Sequence, residues 1–343
     1  MARSGEGLHV GVAGVGRIGV FHATTLAGLE GVRAVTVADL DAGRAAEVAA
    51  ALGAESVASP AELVEAGLDA LVIAAPTRAH ASLLRLAGDA GLPVFCEKPV
   101  ALDLATLDGV IEDLDRSGVL VQIGFQRRFD AGYRAAREAV ASGAVGTLFV
   151  VRAATHDPAP PPEDYIAGSG GIFRDLHIHD IDIVRFVTGE EVVEVYADGA
   201  VREPWFERHG DVDVAVATMR LSGGTLAVLS GTRHDPLGYD VRLEVFGSRD
   251  SIAVGVDARS PYRSVEPGVA APAGPGYANF LERFEPAYRG ELAAFVGTVR
   301  DGGPSLCSLA EARAALLVAV AADRSRAERR PVPIEEVALA KTS

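Results

Sequence analysis

The stretch GVGRIG at residues 14–19 decides the fold of this sequence. The residues just before it, Leu8–Ala13, are few and mostly apolar, as in a strand buried inside a parallel sheet. Apolar residues at helical spacing follow it. The order strand, glycine turn, helix therefore predicts the first crossover of a dinucleotide-binding unit.

Each glycine of this turn has a separate predicted task. Gly14 permits the tight turn, Gly16 lets the backbone approach a pyrophosphate, and Gly19 lets the helix pack against the strand. The helix then begins at Arg17 and Ile18, where free N–H groups and a partial positive charge favour phosphate. These five residues are predicted to bind the cofactor.

Asp39, at the end of the second predicted strand, indicates which cofactor is bound. A carboxylate there can accept hydrogen bonds from the adenosine ribose and repels a 2′-phosphate. The next residue is Leu40 rather than a phosphate-binding arginine, and the nearest arginine is Arg44. We therefore expect NAD rather than NADP. The alternative is that Asp39 only shapes a turn with Asp41.

Composition limits the function classes. The chain has 343 residues, enough for two domains, and a net charge of −15, which disfavours nucleic acid as a partner. No run approaches the ~20 apolar residues of a membrane span. The first strand begins within about eight residues, which predicts no signal peptide. Two cysteines, Cys96 and Cys307, fit a reduced cytoplasm rather than a disulfide framework.

The chain divides into two predicted domains, residues 1–125 and 126–343. In the first, strands alternate with helices, which predicts a doubly wound parallel sheet. Its strands are predicted at 8–13, 33–38, 69–74, 92–97 and 119–124, and its helices at 41–52, 60–66, 79–90 and 104–117. After residue 145 the pattern changes to strands with period-two alternation, which predicts a mostly antiparallel sheet.

In this second domain we expect one clear helix, at about 174–188, among the strands. Loops are expected at 157–171 and 257–279, which are rich in Pro and Gly. The predicted strands are 145–154, 192–201, 212–221, 225–231, 239–247 and 251–256, and the closing helices are 284–301 and 308–329.

Lys98 is the first candidate for chemistry. Pro99 disfavours a helix at Lys98, so the lysine is predicted to stand extended at the carboxyl end of a parallel strand. Ligands of open α/β sheets bind at that end. A lysine there can stabilise oxyanion character as a proton leaves a substrate hydroxyl. The alternative is a surface lysine before a turn.

Asp175 and His179 are the second candidate. On a continuous helix they lie one turn apart on one face. A carboxylate there can fix the tautomer of an imidazole and stabilise its protonated form, which suits a general base for an alcohol. The alternative is an amphipathic helix with a capping aspartate.

A metal site competes with this interpretation. Its plausible ligands are His177, His179, Asp180 and Asp182, with His156 nearby in sequence. His177 and His179 are two residues apart, however, and point to different sides of a helix. The spacing matches neither HExxH nor a Cys/His zinc pattern, so we expect no metal.

With these landmarks in order, the chain resembles the glucose–fructose oxidoreductase/inositol dehydrogenase/MocA family over nearly its whole length. The matching motifs are Gly14-x-Gly16-Arg17-x-Gly19, Asp39, Ala75-Pro76-Thr77 with His80, Glu97-Lys98-Pro99, GFQRRFD at 124–130, and Asp175-x-x-x-His179-Asp180-x-Asp182. The resemblance implies an N-terminal Rossmann domain, a C-terminal α+β domain with a large open sheet, and an active site between them.

The resemblance also implies roles. His179 would take the hydroxyl proton, Asp175 would orient it, and Lys98 would support the developing alkoxide while nicotinamide accepts the hydride. Further cofactor contacts are implied for Ala75, Pro76, Thr77, His80, Glu97, Lys98 and Gln126.

Within the family the sequence is most similar to inositol 2-dehydrogenases, which implies oxidation of myo-inositol to an inosose and a homo-oligomer, expected to be a tetramer. Arg127, His156 and Tyr239 are the implied substrate contacts, beside the catalytic set. The alternative for Arg127 is that it binds the cofactor or Asp130. The alternative for Tyr239 is that it is a residue of the hydrophobic core. Oxidation of scyllo-inositol or a pyranose stays open, as does a cofactor-binding regulator without turnover.

Overall fold

The computed structural model describes residues 7–272 and 274–339 and divides into two compact units. The first unit runs to Gln126 and also includes Tyr288–Arg313. The second comprises Arg127–Ala287 and continues from Ala314. The predicted domain limits, 1–125 and 126–343, stay a prediction, and the compact units differ from them in that residues 288–313 group with the first unit.

The first unit contains a six-stranded parallel sheet in the order β3-β2-β1-β4-β5-β6, as the alternating pattern predicts. Its strands are β1 (Leu8–Ala13), β2 (Val32–Ala38), β3 (Glu55–Val57), β4 (Ala70–Ile73), β5 (Val94–Glu97) and β6 (Val121–Gly124). The short strand β3 has no apolar run and was not predicted. Strands β2 and β3 are added on one side of β1, and β4, β5 and β6 on the other. The gap between β1 and β4 is therefore the switch point at which such sheets bind ligands.

Helices cover this sheet, and they are α1 (Arg17–Ala27), α2 (Ala42–Leu52), α3 (Pro60–Glu65), α4 (Thr77–Asp89) and α5 (Leu104–Ser117). Strand residues such as Val10 and Val12 are fully buried in the core. Leu292 and Phe295, from a long helix near the end of the chain, complete it. Residues far apart in sequence therefore share this core.

The second unit contains a seven-stranded sheet in the order β12-β11-β7-β10-β9-β8-β13. Its strands are β7 (Leu148–His156), β8 (Val192–Ala200), β9 (Val214–Leu221), β10 (Leu226–Thr232), β11 (Asp240–Gly247), β12 (Ser251–Val254) and β13 (Val332–Pro333). Of the strand pairs described in this sheet, β7 with β10 is parallel and the rest are antiparallel. The mostly antiparallel prediction is confirmed.

The remaining helices are α6 (Ala131–Ala141), α7 (Glu163–Ser169), α8 (Ile172–Asp175), α9 (His177–Thr188), α10 (Pro204–Arg208), α11 (Phe280–Asp301), α12 (Leu309–Glu328) and α13 (Ile334–Leu339). The expectation of a single helix among the strands was therefore wrong, because α7, α8 and α10 are short and give little periodic signal. Within residues 7–272 and 274–339, no helix combines the length and apolar character that a membrane crossing needs.

Helix α9 packs tightly on β10. A Cβ atom on Gly231 would lie 2.4 Å from Nε2 of His177 and 3.0 Å from the side chain of Leu176. Only glycine fits such a close approach without moving the helix. The position of α9 is thus fixed by a residue of the strand beneath it.

Candidate active site

The glycine turn of the first unit has the geometry that its sequence predicts. Gly14 has φ +97°, and a Cβ there would lie 2.7 Å from the backbone of Ala75. A Cβ on Gly19 would lie 2.0 Å from the carbonyl oxygen of Gly14. A Cβ on Gly16 would meet no described atom within 4 Å. Packing therefore requires the first and third glycines, whereas the second leaves room for a ligand to approach the backbone, which fits a pyrophosphate.

The start of α1 also fits a phosphate. No side chain caps this helix, whereas Asp41, Ser59 and Asp103 cap α2, α3 and α5. An uncapped N-terminus of an 11-residue helix leaves N–H groups and a partial positive charge for an anion.

Asp39 lies against the same turn. Its Oδ2 accepts a hydrogen bond from the N–H of Val15 at 2.7 Å, and its Oδ1 accepts one from the N–H of Asp41 at 3.0 Å. The carboxylate is half-buried, and the neighbouring Leu40 is 90% exposed. The side chain is therefore held at the mouth of the glycine turn, and its contact with a ribose stays a prediction.

The buried ring of His80 lies between two loops and contacts a backbone carbonyl of each. Its Nε2 lies 2.7 Å from the carbonyl oxygen of Ala75, and its Nδ1 lies 2.8 Å from that of Pro99. Burial holds the pKa of His80 below its usual value, although both carbonyls oppose this. The ring thereby ties the loop before Pro76 and Thr77 to the loop after β5. This placement favours a supporting role for His80 over direct contact with the cofactor.

Lys98 follows the last residue of β5, at the carboxyl end of the parallel sheet, as predicted. It is half-buried, and the Lys98–Pro99 peptide bond is cis. The preceding Glu97 is 9% exposed, and its Oε1 lies 2.6 Å from Nε2 of His22. Gln126, another predicted cofactor contact, is 2% exposed. The roles of these residues toward cofactor and substrate stay predictions.

Asp175 and His179 lie on two consecutive helices and not on one. Asp175 is the last residue of α8, and the next residue, Leu176, separates it from α9. His179 stands in the first turn of α9 and is half-buried. The helix expected over 174–188 is therefore interrupted at Leu176, and both residues lie next to this short connection.

The partners of the Asp175 carboxylate were not predicted. Its Oδ2 accepts a hydrogen bond from Nη2 of Arg233 at 2.6 Å, and its Oδ1 accepts one from the hydroxyl of Tyr165 at 2.8 Å. Asp175 is 7% exposed and Arg233 is 6% exposed. Arg233 also donates to Oδ2 of Asp157 at 2.6 Å. Arg233 follows β10 directly, and nothing in its sequence context distinguishes it from a surface arginine.

Arg127 and Asp180 form a fully buried ion pair. Nη1 of Arg127 donates to Oδ1 of Asp180 at 2.6 Å, and Nη2 donates to the hydroxyl oxygen of Thr155 at 2.9 Å. Nδ1 of His177 lies 2.8 Å from the other oxygen of Asp180. Burial raises the pKa of Asp180, but the charge of Arg127 and the bond from His177 outweigh it and leave the pKa below its usual value.

The surroundings of Arg127 and Asp182 bear on two predictions, which stay untested. Arg127 is 1% exposed and committed to Asp180 and Thr155, which favours a structural role over the predicted contact with substrate. Asp182 accepts two hydrogen bonds from Arg128, at 2.9 and 2.6 Å. The two aspartates that were considered as metal ligands are thus both held by arginines.

The other two predicted substrate contacts, His156 and Tyr239, have different surroundings from those of Arg127. The hydroxyl of Thr155 bonds to Asp180 beneath α9, so the next residue of the strand, His156, faces the opposite side of the sheet. There its Nε2 lies 3.2 Å from the hydroxyl oxygen of Ser230. Tyr239 is 6% exposed, with its ring edge-on to Phe284, and burial raises its pKa. Their contacts with substrate stay predictions.

Two groups among the described residues bring three metal-binding atoms within 4.8 Å of one another. One is His156 with Asp235 and Asp240, of which Asp240 is already paired with Arg242 at 2.8 Å. The other, fully buried in the first unit, is His22 with Glu97 and Glu291. In it, the 2.6 Å separation between His22 and Glu97 is that of a hydrogen bond.

The comparisons with known proteins agree with this geometry. Residues 8–125 match the family model described as an oxidoreductase family with an NAD-binding Rossmann fold. Residues 133–253 match the model of the GFO/IDH/MocA C-terminal domain. The two matches fall on the parallel sheet and on the second sheet, respectively.

Several relatives are similar over nearly the whole chain. Myo-inositol 2-dehydrogenase of Thermotoga maritima is 40% identical, covering 96% of this chain and 99% of its own. The crystal structure of a myo-inositol dehydrogenase from Corynebacterium glutamicum has a TM-score of 0.89 and 38% identity, covering 95% of this chain and 98% of its own. That of scyllo-inositol dehydrogenase from Lactobacillus casei, with NAD(H) and scyllo-inositol bound, has a TM-score of 0.88 and 28% identity, covering 96% and 100%. This chain therefore belongs to the GFO/IDH/MocA family of NAD-binding oxidoreductases.

Proposed function

We propose that this protein is an NAD-dependent dehydrogenase that oxidises one secondary alcohol of an inositol, with myo-inositol as the substrate and 2-keto-myo-inositol as the product. The observation that carries the proposal is the 40% identity, along 96% of the chain, to a myo-inositol 2-dehydrogenase. The same chemistry is named for relatives that act on scyllo-inositol.

In the proposed reaction, His179 accepts the hydroxyl proton, Asp175 orients the imidazole, and Lys98 stabilises negative charge on the alcohol oxygen. Bound NAD supplies the acceptor for the hydride that leaves the same carbon. The C–H and O–H bonds break, a carbonyl forms, and the proton rests on His179. A half-buried histidine two residues into a helix, with a buried carboxylate just before that helix, suits a general base.

We further propose that the protein works in the cytoplasm as a homo-oligomer, expected to be a tetramer. Large apolar side chains are exposed on the strands of the second sheet: Phe149, Tyr196, Val216, Leu226 and Val228. Such a set on one sheet marks an interaction surface. Both cysteines are buried thiols outside any disulfide, which fits a reducing compartment.

Initial rates with NAD and a panel of inositols and pyranoses test the substrate. We expect the highest kcat/KM with myo-inositol, followed by scyllo-inositol, and weaker activity with NADP. A strict preference for a pyranose over every inositol would reject the inositol assignment. Absence of NADH formation with every polyol would favour the regulator instead. Chelation with EDTA should leave the rate unchanged.

Replacement of the proposed catalytic groups tests the mechanism. His179→Ala and Lys98→Met should each lower kcat by at least about tenfold, because general-base and oxyanion groups typically contribute that much or more. NAD affinity, measured by fluorescence titration, should change little. Turnover close to that of the wild type in either variant would contradict the assigned roles.

A further inference from the structure

A four-residue network surrounds Asp175 in the second unit, and it extends beyond the residues that the proposed reaction uses. Arg233 bridges two carboxylates, donating to Asp175 through Nη2 and to Asp157 through Nη1, each at 2.6 Å. Tyr165 donates its hydroxyl to the other oxygen of Asp175 at 2.8 Å. Two separate segments, α7 and the residues after β10, therefore meet at the Asp175 carboxylate, and Arg233 links it to Asp157, which follows β7.

The charges of this network are unequal. Two carboxylates share one guanidinium, so the group carries one net negative charge. Arg233 stays protonated, because the two aspartates raise its pKa more than burial lowers it. Burial, and then the charge of Asp175, raises the pKa of Tyr165, so its hydroxyl stays a donor. A residual negative charge favours a cation nearby, such as the imidazolium that forms when a histidine takes a proton.

The geometry also leaves Asp175 capacity for a further donor. Each carboxylate oxygen has two lone pairs, so an oxygen that accepts from Tyr165 or Arg233 can also accept from a second donor. Bonds to both oxygens fix the rotation of the carboxylate plane. An anion held in this way can orient another group without first being ordered.

We propose that Arg233 and Tyr165 are positioning residues for the oxidation, which hold the Asp175 carboxylate in the orientation from which it acts on His179. The inference rests on the proposed function, in which Asp175 and His179 are catalytic. Asp157 belongs to the same network, because Arg233 donates to it as well as to Asp175. It also begins the proline-rich segment that leads to Tyr165.

A double-mutant cycle on kcat tests this inference. The single variants are Tyr165→Phe, Arg233→Met and Asp175→Asn. The double variants combine Asp175→Asn with Tyr165→Phe and with Arg233→Met. Tyr165→Phe should lower kcat by about threefold to tenfold and Arg233→Met by about tenfold to a hundredfold, with KM for NAD unchanged. In the Asp175→Asn background each loss should shrink to less than about twofold, because residues that act through a shared partner are not additive.

A matched control separates positioning from stability. Arg185 is also buried, and it donates twice to one carboxylate, that of Glu191. Arg185→Met should lower the unfolding midpoint while kcat stays within about twofold of the wild type. Arg233→Lys keeps the positive charge but loses the planar guanidinium that bonds two carboxylates at once. It should recover part of the kcat lost in Arg233→Met.

The outcomes distinguish the two proposals. Wild-type kcat in Asp175→Asn would remove Asp175 from the mechanism and overturn the proposed roles. A low kcat in Asp175→Asn, with the Tyr165→Phe loss undiminished in that background, would overturn only the positioning role. If Arg233→Met does not fold, the Tyr165→Phe cycle decides alone, because the tyrosine is 49% exposed and tolerates the loss of one hydroxyl.

Discussion

Buried carboxylates of the two units show two different ways of neutralising a buried acid. In the second unit, Asp175, Asp180 and Asp182 each accept hydrogen bonds from an arginine that is itself buried. In the first unit, Glu291 is 0% exposed, and neither of its oxygens has a hydrogen-bond partner among the described residues. Its neighbours are His22 and another acid, Glu97.

This difference shows in the acidity of the groups. Burial, and then the charge of Glu97, raises the pKa of Glu291 well above its usual value, which favours the protonated form of this acid. Arg127 holds the pKa of Asp180 below its usual value against the effect of burial. An acid neutralised by a proton can be replaced by an amide, whereas an acid neutralised by an arginine cannot be removed without stranding a charge.

The largest expected effect comes from breaking an arginine-neutralised pair. Asp180→Asn leaves the guanidinium of Arg127 buried without its counter-ion, and it should lower the free energy of unfolding by about 3–5 kcal/mol. Urea unfolding measures this loss. Asp113→Asn, at an exposed pair with Arg85, is the control and should leave the urea unfolding midpoint nearly unchanged. Equal losses in the two variants would contradict the comparison.

The next effect has the opposite sign. Glu291→Gln should raise the free energy of unfolding by about 1–3 kcal/mol at pH 8, because folding of the wild type at that pH requires the acid to take up a proton, whereas the amide stays neutral. A folded-state pKa above the unfolded one makes the wild type lose stability as the pH rises from the unfolded pKa towards the folded one. The advantage of the variant should therefore shrink towards pH 5. Unfolding curves at both pH values, with EDTA present, check this.

A Glu291→Gln variant that is less stable at pH 8 would indicate that the carboxylate is ionised there and compensated by a cation. Repeating the curves with and without a divalent metal would then identify that cation. Either result fixes how the first unit neutralises Glu291.

Asp39 sharpens the comparison as a third kind of carboxylate, held by the backbone N–H groups of Val15 and Asp41 rather than by an arginine or a proton. Asp39→Ala should leave stability nearly unchanged and weaken NAD binding by about tenfold, which equals ~1.4 kcal/mol. Discrimination against NADP should fall as well, because the repulsion of a 2′-phosphate is lost. Fluorescence titration with both cofactors measures this, and unchanged discrimination would remove Asp39 from the ribose site.

The sequence predicts well those features that repeat locally. The glycine turn, the parallel order around β1 and the position of Lys98 all follow from patterns within about ten residues. Short elements such as β3 and α7 are not predicted, because three to seven residues carry too little periodicity. Helix α7 also lies just after a proline-rich stretch. The interruption between α8 and α9 at Leu176 is not predicted either, because the residues on both sides of it favour a helix.

The long-range partners could not be predicted at all. Arg127 and Asp180 are 53 residues apart, and Arg233 and Asp175 are 58 apart. An arginine in the sequence carries no sign of which acid it will neutralise, because that choice depends on which strands become neighbours. The pairing of Arg127 with Asp180 was therefore not predicted, and Arg233 was not considered.

The parallel pairing of β7 with β10 determines why Arg233 can bridge its two acids. His156 and Thr232 are opposite each other as the strands end, so the residues that come next, Asp157 and Arg233, emerge side by side at one rim of the sheet. Had the two strands run in opposite directions, these residues would leave at opposite rims, roughly 25 Å apart for strands of this length. A designer who transplants this network into another scaffold must therefore reproduce the strand direction as well as the side chains.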